Sequence, residues 1–199
     1  MDAALRERLL ALRDRDARKR SELVARRELW DGYHPEMEQV HGENADALAQ
    51  ILDASGWPPR REVGDDGAQA AVVVALHAIG RPAFQRRCLA SLADAAARGE
   101  ASRAHWAALF DRIRFNERRP QRYGSIFDWD EAGELSPWPI EEPARVDERR
   151  AEVGLPPLGG EIERVRESAR REGGTAPLPY AERQAQIRDW SRRAGWLED

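Results

Sequence analysis

Residues 67–80, GAQAAVVVALHAIG, decide the fold. Taken alone, Val72-Val73-Val74 would suit a strand. The flanking alanines, the carboxylates of Asp65 and Asp66 as helix caps, and a length beyond three turns favour a helix instead. That helix is apolar all round, which predicts a central, buried element closing at Gly80. His77 lies near its end.

Further along the chain, Pro82 suits a first helical position, and Phe84, Cys88, Leu89, Leu92 and Ala96 follow at helical spacing until Gly99. Ser102 caps a third helix with a stripe of Trp106, Leu109, Phe110 and Ile113. Residues 66–116 are therefore the expected core. Before it, Leu5, Leu9, Leu10, Leu12, Leu23 and Val24 among dense charge predict an amphipathic helix ending before Gly32. Asn44 is the expected N-cap of a helix carrying Leu48, Ile51 and Leu52, with Gly56 as its stop and SGWPP as a turn.

Beyond the core, residues 117–143 lose periodicity among Pro, Gly, Trp and Asp, and only Tyr123–Trp129 resembles a short strand. Long loops in compact domains are often functional, which makes this the candidate site loop. RVDERRAEVGLPPL (145–158) predicts a short helix ended by Gly154. A charged helix follows Gly159-Gly160, then a break at Gly173-Gly174 and an amphipathic end with Ile187, Trp190 and Trp196. The expected fold is mainly α, a small irregular helical bundle with a long loop carrying at most a short β-hairpin, plus a charged C-terminal helical tail. Residues 1–158 form the expected helical domain and 159–199 the extension.

The 199 residues suit one domain with a sizeable core. Charged residues make up 34% of the chain, so much of it must be solvated helix surface. The net charge is -4, and acids are interleaved with the arginines, which leaves no one-signed field to meet a phosphate backbone. Nucleic acid is not an expected partner. Lys19 is the sole lysine, a skew that a GC-rich genome explains most simply. The single Cys88 excludes an internal disulfide and a cysteine-based zinc cluster and fits a reducing compartment. Ala70–Leu76, the longest apolar run, is far short of the roughly 20 residues of a membrane span, and no secretory pattern precedes it. A cytoplasmic protein without a membrane partner is expected.

GWP (56–58), Gly64, His77-Ala78, FQ (84–85), DR (111–112), QRYGS (121–125) and PIEEPARVDERRAEVGL (139–155) recur in that order in a known pattern. Over residues 5–158 the chain resembles an uncharacterised bacterial family of unknown function. In that family Gln typically precedes the histidine, and Thr then Gln follow the loop glycine. Leu76, Ser125 and Ile126 stand there instead. The resemblance implies no activity.

The candidate site residues follow from placement. His77 stands at a helix end, and histidine as a residue type suits a general acid or base, although a hydrogen-bonded core histidine is the plainer reading. Gln85 is one turn into the next helix, where it either approaches His77 or binds backbone of the intervening turn. Asp111 sits on a flank with Ala104, Ala107 and Ala108, so its carboxylate should be partly buried and need a partner. Arg112, His77 or Tyr123 is the candidate partner, and Arg112 could equally cap the helix end. Gln121 and Tyr123 alternate along an extended segment and could face one side. Together these predict catalytic His77, Asp111 and Tyr123, with Arg112, Gln121 and Gln85 binding substrate.

His34, His41, His77 and His105 show no H-x-x-x-H or H-E-x-x-H spacing, so neither a metal nor another cofactor is expected. GGEIERVR lacks the Lys-Ser/Thr of a phosphate loop, and YGS is no nucleophile elbow. Two function classes remain. One is a small enzyme acting on a small polar metabolite or peptide-like substrate by His-centred acid/base chemistry. The other is a non-catalytic module binding a small ligand or a protein through the same cleft, with the Trp-containing tail as a surface for a partner or a second copy.

Overall fold

The computed structural model describes residues 1–28, 32–171, 176 and 179–197. Among them are eight α-helices and one two-stranded antiparallel hairpin, so the protein is mainly α. By its internal contacts the chain divides into two compact units, Met1–Leu109 and Phe110–Asp199. The division falls inside helix α5 (Arg103–Asn116). The boundary expected at residue 158 lies within the second unit, at the first residue of α7 (Leu158–Arg171). The expected glycine break at 173–174 and Trp30 lie outside the described residues.

The first unit is built on α3 (Arg60–His77), whose alanine and valine faces are buried as the valine run predicts. Gly64 interrupts its first turn with φ 71° and ψ 176°, a conformation that favours glycine. The regular helix restarts there, with Asp66 Oδ1 accepting from the Gly67 N–H at 2.9 Å. The most extensive partner of α3 is α1 (Ala3–Arg26), followed by α2 (Pro35–Ser55) and α4 (Pro82–Ala97). The core is therefore wider than residues 66–116, because Leu9, Leu12, Leu23, Met37, Leu48 and Ile51 are all buried in it.

Asn44 corrects another expectation. It is not an N-cap but lies mid-helix, 1% exposed, with its amide donating to the Leu12 carbonyl at 3.0 Å and accepting from Arg15 Nε at 2.9 Å. The cap of α2 is His34, whose Nδ1 accepts from the Glu36 N–H at 3.2 Å, and Pro35 opens the helix. Pro at the first position and an imidazole acceptor before it satisfy the same orphan amides that an Asn would.

In the second unit, β1 (Phe127–Trp129) pairs with β2 (Leu135–Pro137), Asp128 opposite Ser136. The hairpin turn is organised by Asp130, which accepts from the Ala132 and Glu134 N–H groups and from Ser136 Oγ. A 3-10 turn at Pro143–Arg145 leads into α6 (Val146–Glu152). From α7, Arg166 Nε donates to the Leu135 carbonyl at 2.9 Å. From α8 (Tyr180–Arg193), Arg183 Nε and Gln184 Nε2 donate to the buried Asp128 carboxylate at 2.8 and 3.2 Å. Trp196 is buried as well and Trp190 half-buried. The C-terminal segment thus docks on the hairpin of its own unit.

Candidate functional site

In the first unit, three helices deliver three titratable side chains to one point. Asp16 comes from the middle of α1, His41 from α2 and His77 from the last position of α3. His77 Nδ1 lies 2.6 Å from Asp16 Oδ2, and His41 Nε2 lies 3.2 Å from the same oxygen. The two imidazole rings are 5.1 Å apart between centroids. The Asp16 side chain is 5% exposed and that of His41 10%, whereas His77 is 42% exposed. One end of the cluster is therefore dry and the other wet.

The charges follow from these positions. Burial alone would raise the Asp16 carboxyl, but the two imidazoles outweigh burial and hold it well below the usual carboxylate range. An ionised Asp16 can only accept, so in this hydrogen bond His77 donates from Nδ1. His41 differs. Its Nε2, despite the short distance to Asp16, is buried without a hydrogen bond. Its Nδ1 is 2.8 Å from the Tyr33 hydroxyl. Burial, and then the charges of Glu38 and Asp16, push the Tyr33 phenol up, so it stays neutral.

A cavity of about 330 Å³ meets this cluster at His41, lined also by Tyr33, Glu38, Glu43, Asp46 and Arg81; Asp16 and His77 do not line it, although Ala78, the neighbour of His77, does. Of its three carboxylates, Glu43 pairs with Arg15 at 3.1 Å and Asp46 with Arg81 at 3.6 Å, so the wall is of mixed charge, with Glu38 the third acid. Gln85, fully buried, does not line it. Its amide donates to the Ala75 and Leu76 carbonyls at 2.6 and 3.0 Å and so ties α4 to the C-terminal turn of α3, next to His77. Cys88 offers no nucleophile, because burial pushes its thiol up to about 12.

The other candidates belong to the second unit. Asp111, fully buried, accepts from the Arg122, Tyr123 and Ser125 N–H groups at 2.8 to 3.2 Å and from Ser125 Oγ at 3.0 Å. Gly124 makes this turn possible. It holds φ 68°, and a Cβ there would stand 2.9 Å from Leu158 Cδ1. Gln121, also fully buried, donates to the Ile126 and Trp138 carbonyls and accepts from the Ile126 N–H. Tyr123 is buried with its ring edge-on to Phe110, and its carbonyl accepts from Arg150 Nη1 at 2.7 Å. Arg112 lies over the Phe115 ring, and its Nε, buried, has no hydrogen-bond partner. The structure thus brings Asp111 together with Gln121 and Tyr123 through backbone groups of one turn, and His77 together with Asp16 and His41.

Asp16, His41 and Tyr33 are absent from the sequence candidates, although two of them carry a readable signal. Leu9, Leu12 and Leu23 define the buried stripe of α1, and Asp16 stands on it, four residues after Leu12 and seven before Leu23. His41 stands likewise four residues after the buried Met37. A charged residue on an apolar stripe requires a partner. Tyr33 has no such periodicity to betray it.

The chain belongs to a family of unknown function, DUF6624, whose model matches residues 3–171. No curated protein and no solved structure matches it.

Proposed function

We propose that this member of the family is a small enzyme that moves a proton to or from a small, polar, amine-bearing or peptide-like substrate, with His77 as the acid or base. The observation that carries this reading is the Asp16–His77 pair. A buried, ionised carboxylate holds Nδ1 at 2.6 Å, and the ring that it orients is 42% exposed. Fixing one nitrogen of an imidazole with a carboxylate sets its tautomer and aims the other nitrogen at a substrate. On the dry side of the same carboxylate stands His41, which Tyr33 meets at Nδ1, and both line the cavity, where Glu38 suits an amino group. In this reading Gln85, Asp111, Arg112, Gln121 and Tyr123 hold backbone and aromatic neighbours in place rather than touch substrate.

The test starts from the full-length wild-type protein screened against amine-bearing amides, short peptides and esters. For the substrate found, His77→Gln should keep the circular dichroism spectrum and lower turnover by roughly 10²–10⁴-fold, the range for one positioned proton-transfer group. Turnover unchanged in His77→Gln between pH 6 and 9 would overturn the reading. Binding without turnover would favour the non-catalytic module instead.

A further inference from the structure

We infer that Asp16, His41 and His77 form a binding site for one divalent transition-metal ion, of the zinc or manganese type. The inference concerns the cluster already read as the reaction centre, yet it rests on the donor atoms alone and not on any proton transfer.

One ligand atom from each of the three side chains lies within 4.8 Å of the others. The set is two imidazole nitrogens and one carboxylate oxygen, each from a different helix, which is the mixed N/O donor set that borderline divalent ions prefer. Ligands about 2.0–2.2 Å from a tetrahedral zinc ion stand roughly 3.3–3.6 Å apart. The His41–Asp16 separation of 3.2 Å is close to that spacing, whereas the 2.6 Å between His77 and Asp16 is shorter, so an ion requires the half-exposed His77 ring to move outward. With three protein ligands, at least one position stays open for water or substrate.

Two further observations point to a ligand rather than to a self-satisfied network. His41 Nε2, on a side chain 10% exposed, stands 3.2 Å from the Asp16 carboxylate but makes no well-directed hydrogen bond among the described residues, and an ion between the two would give it a directed partner. Its other nitrogen has the outer partner that metal-binding histidines usually have, because Nδ1–H donating to the Tyr33 oxygen frees the Nε2 lone pair for the ion. His77 would pass its Nδ1 proton to Nε2, stay neutral and present an N–H to the solvent side. The second group of three candidate ligands, Glu28, His34 and Glu36, does not share these properties. Lys19 and Arg26 already occupy the Glu36 carboxylate, and His34 Nδ1 caps α2.

The experiment is a titration of the chelator-stripped, full-length protein with zinc chloride by calorimetry, and with cobalt chloride by visible absorption. The expected result is one ion per chain and a cobalt spectrum with imidazole nitrogen in the coordination sphere. His77→Gln and Asp16→Asn should each weaken zinc binding by at least ~100-fold, and Tyr33→Phe by ~10-fold through loss of the outer partner. His34→Gln and Glu36→Gln should leave it unchanged. His77→Gln is the decisive variant, because its half-exposed residue can be exchanged without opening the core. Absence of saturable binding, binding insensitive to His77→Gln, or binding abolished by His34→Gln would overturn the assignment. A negative titration leaves the acid/base reading to its own test, since turnover that persists in chelator fits His77 acting alone. Stoichiometric binding without any turnover would keep the metal site and remove the enzyme.

Discussion

Two aspartates buried to nearly the same degree, one in each unit, have opposite surroundings. Asp111 is met by three backbone N–H groups and a hydroxyl, all from the turn that it organises. Asp16 is met by two imidazoles that can themselves titrate, and one of them has an orphaned nitrogen. Their electrostatics diverge accordingly. Burial pushes the Asp111 carboxyl up and its backbone donors only partly compensate, whereas the imidazoles hold Asp16 far down. A carboxylate saturated by fixed amides has no free valence for chemistry. One shared between a buried and a half-exposed histidine beside a cavity does, and burial alone would not have told the two apart.

The largest way to break this contrast is Asp111→Ala. It strands the buried Tyr123 N–H and the part-buried Arg122 and Ser125 N–H groups, and at ~1–3 kcal/mol for each unsatisfied donor, least for the part-buried two, the second unit should lose ~3–5 kcal/mol or fail to fold. Urea denaturation measures it. A change below ~1 kcal/mol would mean that water replaces the carboxylate freely, and the turn would not be the closed knot described here. Asp16→Asn should be milder for stability, about 1–2 kcal/mol at pH 7, because the amide keeps one acceptor for His77. Its effect on turnover should exceed its effect on folding, which separates a positioning group from a structural one.

Acid sharpens the comparison by sign. The folded Asp16 carboxyl titrates below its unfolded value of about 3.9, so its stabilisation is complete above that value and is lost as pH falls through the folded one. The folded Asp111 carboxyl titrates above its unfolded value, so its contribution is greatest at low pH and declines as pH rises through the folded one. Hydrogen exchange, corrected for intrinsic rates, should therefore show α1 and α3 loosening below about pH 4 while the 121–126 turn gains protection as pH falls toward that value. Parallel behaviour in both regions would contradict the assigned surroundings. The smallest expected effect concerns Cys88. Its thiol, pushed up to about 12, should resist alkylation at pH 8 in the folded protein, and rapid labelling would show that α4 is less buried than described.

How much of this was legible in the chain differs between fold and site. The valine-rich run, Pro82, Gly56 and Gly154 act through local backbone chemistry, and the helices that they predict are present with nearly the expected C-terminal ends, although α2 and α3 begin earlier, at Pro35 and Arg60. Asn44 was misread because a polar residue before an apolar stretch has the same sequence signature whether it caps a helix or bonds sideways to a neighbouring one. The site was harder. His77 and Gln85 could be placed at a helix end and the following turn from sequence. The partner of His77, however, is 61 residues away on α1, and no short motif spans that distance. Gln121 and Tyr123 looked like a functional pair because a loop rich in polar groups has the same composition whether those groups face a ligand or its own backbone.

The measurement that tests the central claim most directly is long-range proton–nitrogen NMR of the histidine rings in the chelator-stripped, full-length protein. His77 is predicted to be an Nδ1–H tautomer, with its ring proton far downfield in the short hydrogen bond to Asp16, and with that signal lost in Asp16→Asn. A His77 ring carrying its proton on Nε2, or a signal indifferent to Asp16→Asn, would contradict the account.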